Sequence, residues 1–117
     1  MIEFIHPETK QIYQILHSSI QEELIWNLAN DQVINVGQGW RFPTIEEFDL
    51  LFRELFLRQI GDFKSDWDSW CWSMTDISDP TKLEEEEETV FIYNFGYQEK
   101  VISRKNEKAF VLFIRIS

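Results

Sequence analysis

The order of patterns along the chain predicts an α+β domain in which two helices pack on a mainly antiparallel, twisted sheet. Three observations predict it. Short extended patterns open the chain, two stretches with apolar residues at helical spacing follow, and strand-like runs fill the second half.

The opening hairpin is built from Phe4-Ile5-His6 and Gln11 to Ile15 around the turn Pro7-Glu8-Thr9-Lys10. Proline suits an early turn position, and Ile12 and Tyr13 favour extended backbone. A first helix is expected after Ser18 or Ser19, either of which can cap it with Gln21 or Glu22 three residues on. Ile20, Leu24, Ile25 and Leu28 then share a face, and Asn30-Asp31 offers a stop. Val33 to Val36 reads as a brief extended run before Gly37-Gln38-Gly39.

The second helix carries the clearest local signal. In Thr44-Ile45-Glu46-Glu47 the Thr44 hydroxyl can accept from the Glu47 amide while the Glu47 carboxylate reaches back, a capping box. Pro43 holds the entry extended and biases Phe42 away from helix. Glu46 and Glu47 sit in the first turn, where the helix dipole favours negative charge. Ile45, Phe48, Leu51, Phe52 and Leu55 form a core-facing stripe that runs to about Gln59, with Gly61 beyond. Phe42 is placed to staple onto Phe48.

From Asp62 to Ser69 the chain is polar and punctuated by tryptophan, the pattern of a loop. Trp70 to Thr75 alternates large and small residues, as a strand does. Asp76 to Glu88 reads as an exposed loop with an Asp79-Pro80 turn and a run of glutamates at its tip. Thr89 to Phe95 is a strand, Gly96 starts a turn, and Tyr97 to Ile102 is its hairpin partner. After a polar turn at 104–108, Ala109 to Ile116 is a nearly continuous apolar run, which predicts a central strand.

One domain spanning 1–117 is expected, because the 44% of hydrophobic residues suffices for a single core and four Gly and three Pro leave no room for a linker. A single cysteine, Cys71, excludes an internal disulfide and a cysteine-cluster zinc site. The residues after Met1 lack the basic start and apolar stretch of a signal segment, so a cytoplasmic location is expected.

Eleven Lys and Arg against 21 Asp and Glu give a formal charge of −10. Such a surface repels nucleic acid and anionic membranes and suits a protein partner with a basic face. The charge is concentrated. Residues 62–88 hold ten acidic residues against Lys64 and Lys82, a net −8.

Gly39-Trp40-Arg41-Phe42-Pro43-Thr44-Ile45-Glu46-Glu47 resembles the GWRLPT-x-E-E signature of a bacterial family of unknown function. That family is named after the C-terminal domain of the Legionella collagen-like protein and belongs to the C-type-lectin-like superfamily. Trp72-Ser73-Met74-Thr75 is similar to the family's W-S-S-T strand, Val90 to Gly96 to its V-x-F-x-x-G element, and Val111 to Arg115 to its closing V-R-x-V-R strand. The resemblance covers residues 10–116 in the family's order and implies a C-type-lectin-like fold. It also implies that Trp40, Arg41, Pro43, Thr44, Glu47 and Trp72 are structural. The sequence departs from the pattern at Met74, at the missing first basic residue of the closing strand, and in the insertion Glu84 to Glu88.

Catalytic chemistry finds little support in the residues. Cys71 lies between Trp70 and Trp72, so on an alternating strand it points away from both and reads as a buried thiol, where a reactive one needs a basic, accessible setting. The wider superfamily includes formylglycine-generating enzymes, which use paired cysteines, and this chain has one. His6 and His17 have no carboxylate at ligand spacing, and neither a nucleophile elbow nor a phosphate loop is present. Asp62, Asp66 and Asp68 invite a calcium reading, but hard cations need six to eight oxygens and the EF-hand spacing is absent. No cofactor and no metal are expected. Arg41 can clamp a carboxylate through two nitrogens, and pairing inside the fold with a carboxylate such as Glu47 is the expected use.

The expected function is a non-enzymatic binding module for a protein partner. Trp67 and Trp70 would serve as anchors, ringed by Asp66, Asp68, Glu84, Glu85 and Glu86, because aromatics in a polar loop are typical interface residues. Two alternatives stand beside it: an acidic decoy for a basic nucleic-acid-binding protein, and a glycan-binding lectin-like domain.

Overall fold

The computed structural model describes residues 2–16, 23–61, 63, 69–76 and 89–117, with backbone alone at 75 and 76. Strand β1 (Ile2–Ile5) pairs antiparallel with β2 (Ile12–Leu16), setting Phe4 opposite Tyr13 and Ile5 opposite Ile12. The predicted hairpin is therefore present. Its turn is held by the His6 ring, whose Nδ1 accepts from the backbone N–H of Glu8 at 3.0 Å and of Thr9 at 3.3 Å.

The first helix begins later than the periodicity suggests. Glu23–Ile25 is a short strand, β3, whose Leu24 lies opposite Ala109, and the helix α1 runs Trp26–Val36. Ser18, Ser19 and Ile20 lie outside the described residues. Two expectations are overturned here: Leu24 and Ile25 are extended, and Val33 to Val36, read as extended, is helical. The physical reason is long-range. Pairing with a strand from the far end of the chain fixes 23–25, and the helix then buries Ala29 and half-buries Trp26 and Val33 while Leu28 faces out. Gly37 ends it with φ +61, a left-handed turn whose N–H bonds the Val33 carbonyl at 3.1 Å.

Helix α2 (Ile45–Leu51) starts where the capping box places it. It continues into a π-helical turn over Phe52–Phe56, where the N–H of Leu57 bonds the Phe52 carbonyl at 2.9 Å. That widened turn stacks the Phe52 and Phe56 rings at 5.4 Å. The staple between Phe42 and Phe48 does not form. Phe42 turns toward Trp26 on the other side of the domain, and Phe48 stacks on Tyr93 with ring centres 4.9 Å apart.

The second half supplies β4 (Cys71–Asp76), β5 (Thr89–Asn94), β6 (Glu99–Arg104), β7 (Lys108–Phe110) and β8 (Phe113–Ile116). A five-stranded sheet has the order β3-β7-β4-β5-β6, and β8 joins β2 and β1 in a three-stranded sheet. Among the described residues every pairing is antiparallel except β4 with β7. The architecture is α+β, as the sequence predicts; among the described residues it comprises two helices and two mainly antiparallel sheets where a single sheet was expected.

The closing apolar run differs from expectation in an informative way. It is not one strand: the ladder breaks at Val111-Leu112 and the chain passes from one sheet to the other. The side-chain alternation survives the break. Leu112 and Ile114 enter the core under α2, with Phe110 packed against it, while Ala109, Val111 and Phe113 enter a second core beside α1. A segment buried on both faces has no solvent-facing position to fill, which is why it reads as continuously apolar.

Candidate functional site

The signature stretch carries a connected set of polar contacts. Arg41 grips Glu47 with both terminal nitrogens, Nη1 to Oε1 at 2.6 Å and Nη2 to Oε2 at 2.7 Å. Glu47 Oε1 also accepts from the Thr44 amide at 2.9 Å, and the Thr44 hydroxyl accepts from the Glu47 amide at 3.1 Å. Burial works to raise the Glu47 carboxyl, but the Arg41 fork and the Thr44 hydrogen bonds outweigh it and hold it below the usual range of 4.5. The Arg41 guanidinium is correspondingly raised, chiefly by its hydrogen bond to Glu47.

Backbone bonds fix this stretch to both sheets. Arg41 exchanges N–H to carbonyl bonds with Ile114 of β8, and the Pro43 carbonyl accepts from Met74 of β4 at 2.8 Å. Trp40 is buried under the guanidinium of Arg115, which lies 4.3 Å from its ring centre and donates to the Gln38 carbonyl and to Gln14. Trp72 is fully buried, and its indole N–H donates to the Leu24 carbonyl at 2.7 Å, tying β3 to β4.

The proposed binding residues are placed only in part. Asp66, Trp67, Asp68, Glu84, Glu85 and Glu86 lie outside the described residues, as do Asp62 and His17. Trp70 is half-buried against the core beside α1, and its carbonyl accepts from the Phe110 amide at 2.7 Å. The chain enters and leaves the acidic stretches at the two ends of β4, about 16 Å apart by strand geometry.

Cys71 is buried in the core under α2, on the face opposite Trp72, and burial pushes its thiol up to about 12. Tyr93 donates to Asp49 Oδ1 at 3.2 Å, and burial raises its hydroxyl, with the Asp49 charge adding to the shift. Among the described residues no group of three or more His, Cys, Asp or Glu is placed to hold a metal ion. Among them, too, no helix is long and apolar enough to cross a membrane.

A cavity of about 220 Å³ opens between α1 and the segment that enters α2. Trp26 and Phe42 form one corner, ring centres 6.3 Å apart and inclined at 66°, and Val33 and Val90 line it with aliphatic surface. Asn30, Arg41 and Lys105 bring polar groups to it, and the Lys105 ammonium lies 4.1 Å over the Trp26 ring. Indole Nε1 of Trp26 is buried and has no hydrogen-bond partner among the described residues. On the helix 26–36, Trp26, Asn30 and Val33 share a face at helical spacing, a signal that the compact apolar run Val33 to Val36 obscures in the sequence.

These features define the chain as α+β, with Arg41, Thr44 and Glu47 of the signature stretch bonded to one another. No protein-family model matches the chain, and no curated protein matches it. Among solved structures it is similar to a chain in the complex of a mutant von Willebrand factor A1 domain with botrocetin. The TM-score is 0.56 at 11% identity, over 92% of this chain and 91% of that one. The nearly equal shares make the two chains close in length, and at that identity the likeness is one of fold alone.

Proposed function

We propose that this chain is a non-enzymatic, C-type-lectin-like binding module that takes a basic protein partner through its acidic, tryptophan-bearing stretches. The observation that carries the reading is the charge distribution: −8 of the net −10 falls within 62–88. Two further features support it. The polar side chains of the signature are engaged with one another, and Trp70 is anchored by its backbone at the base of the first stretch. The C-type-lectin-like assignment rests on the order of the motifs that resemble that superfamily. A location in the cytoplasm belongs to the same proposal.

The test is affinity capture with the wild-type chain, with Trp67→Ala/Trp70→Ala, and with Glu84 to Glu88 replaced by glutamine. The wild type is expected to retain partners that both variants lose and that moderate salt elutes, since contacts between exposed charges are screened within ~8–10 Å. Identical captures from all three proteins overturn the reading. An acidic decoy, the second reading favoured by the same charge, would retain a nucleic-acid-binding protein and release its nucleic acid on binding.

A further inference from the structure

A cleft of about 340 Å³ opens between the β1–β2 turn and the first turns of α2, and it shares no lining residue with the cavity beside α1. Glu8 reaches it from the turn. Glu46 and Asp49 stand three apart on α2, so their carboxylates share a helix face. None of the three has an ion pair among the described residues, and Asp49 gives one oxygen to the Tyr93 hydroxyl. Glu47, which also lines the cleft, is neutralised by Arg41. Arg53 brings a positive charge to the lining, but it is exposed and likewise has no ion pair among the described residues. The balance in the cleft is negative.

Charge alone is met by water; Tyr13 is the group that points to a ligand. It is only 7% exposed, stacked on Phe4 with ring centres 5.5 Å apart and flanked by His6 at 5.9 Å. Its hydroxyl makes no hydrogen bond among the described residues, and it is not sealed from solvent as the Trp26 indole N–H is. The charges that act on it are those of Glu47 and Arg41 at the entry of α2, so the open end of the ring faces the cleft. Burial raises this hydroxyl, and Glu47 adds to the shift, so it stays neutral with its lone pairs ready to accept. No three of the carboxylates and imidazoles among the described residues are placed to hold a metal ion, which favours an organic cation. A guanidinium presents five N–H donors in one plane, reaches acceptors on two elements at once, and gives up water more readily than an ammonium. From these features we infer that the cleft binds an alkylguanidinium, the group that ends an arginine side chain. Its N–H groups are shared between the Tyr13 hydroxyl and the carboxylates of Glu8, Glu46 and Asp49, with its stem over Leu50.

The probes are butylguanidinium chloride, its neutral counterpart N-butylurea, and butylammonium chloride, titrated into the full chain at low salt and up to about 10 mM, a range that reports weak binding. The readout is the backbone amide signals of 6–13 and 45–53 in a proton–nitrogen correlation spectrum. Butylguanidinium is expected to shift them saturably. Butylammonium should bind about threefold more weakly, and N-butylurea at least about tenfold more weakly, for want of charge. Tyr13→Phe should melt like the parent, because its hydroxyl has no partner to lose, and should weaken butylguanidinium binding by about fivefold. Arg53→Gln should tighten that binding by about threefold, a gain that loss of folding cannot imitate. The inference is overturned if butylguanidinium moves none of these amides saturably, if either other probe binds as well, or if Tyr13→Phe or Arg53→Gln leaves the affinity unchanged. A Tyr13→Phe chain that melts far below the parent would give the hydroxyl a partner inside the fold and overturns it too. The cleft contains no residue of 62–88, so this site and the proposed function stand or fall separately.

Discussion

Arg41, Thr44 and Glu47 act as one unit. The side chains of Arg41 and Glu47 are 29% and 11% exposed, so the pair lies between the surface case, worth little, and the buried case, where losing one partner strands a charge. Glu47→Gln should cost about 2–4 kcal/mol in urea unfolding, because a charge-assisted fork and a capping bond go together. Thr44→Ala should cost about 1 kcal/mol, the ordinary value of an N-cap. Arg41→Lys keeps the charge and loses the fork, so it should fall nearer the glutamine variant than the parent. The pH dependence follows from the lowered Glu47 carboxyl. A group depressed in the folded state contributes stability above its unfolded value, and that stability is lost as pH falls through the folded one. Stability should therefore decline below about pH 4.5, with a shallower slope in Glu47→Gln; parallel slopes would remove Glu47 from the account. Cys71 titrates in the opposite sense. With its thiol held up at about 12, it should resist thiol reagents in the native state and react only on unfolding.

At the scale of elements, what the sequence revealed depended on how far away the determining contact lies. The start of α2 was legible because Pro43, Thr44, Glu46 and Glu47 encode it within one turn, whereas Arg41 was legible only as pairing within the fold with a carboxylate such as Glu47. The start of α1 was not. No side chain caps it at Ile25, and its boundary is set by β3 pairing with β7. Apolar spacing alone could not separate Leu24 in a strand from Leu24 on a helix. The corrected frame makes a test: Leu28 is exposed and Ala29 fully buried, the reverse of a helix with Leu28 inside. Leu28→Ala should change stability by less than about 0.5 kcal/mol, whereas Ala29→Leu should cost about 1–3 kcal/mol by overpacking. A large loss at Leu28 would restore the earlier frame. The broken closing strand was half legible. Its composition announced burial on both faces, but the change of sheet at Val111-Leu112 depends on where β2 and β4 lie. Leu112 is fully buried, so Leu112→Ala should cost about 2–5 kcal/mol despite lying between strands.

For the molecule as a whole, the recognisable part and the charged part separate. The signature stretch links the two sheets through the backbone of Ile114 in β8 and of Met74 in β4. The proposed binding set was legible only as composition, because acidic and polar runs carry no periodicity to fix them in space. The cavity beside α1 was invisible for the opposite reason: Trp26, Phe42, Val90 and Lys105 are distant in sequence and meet only after folding. If the run Glu84 to Glu88 serves recognition rather than architecture, replacing all five by glutamine halves the net negative charge and leaves both cores intact. The melting temperature should then stay within a few degrees of the parent, or rise slightly at low salt as self-repulsion falls. Affinity for the captured basic partner should drop, and its dependence on salt should flatten over the same range, because fewer screened contacts remain. A variant that melts far below the parent would make those glutamates part of the fold, and the acidic surface would then have to be sought in 62–68 alone.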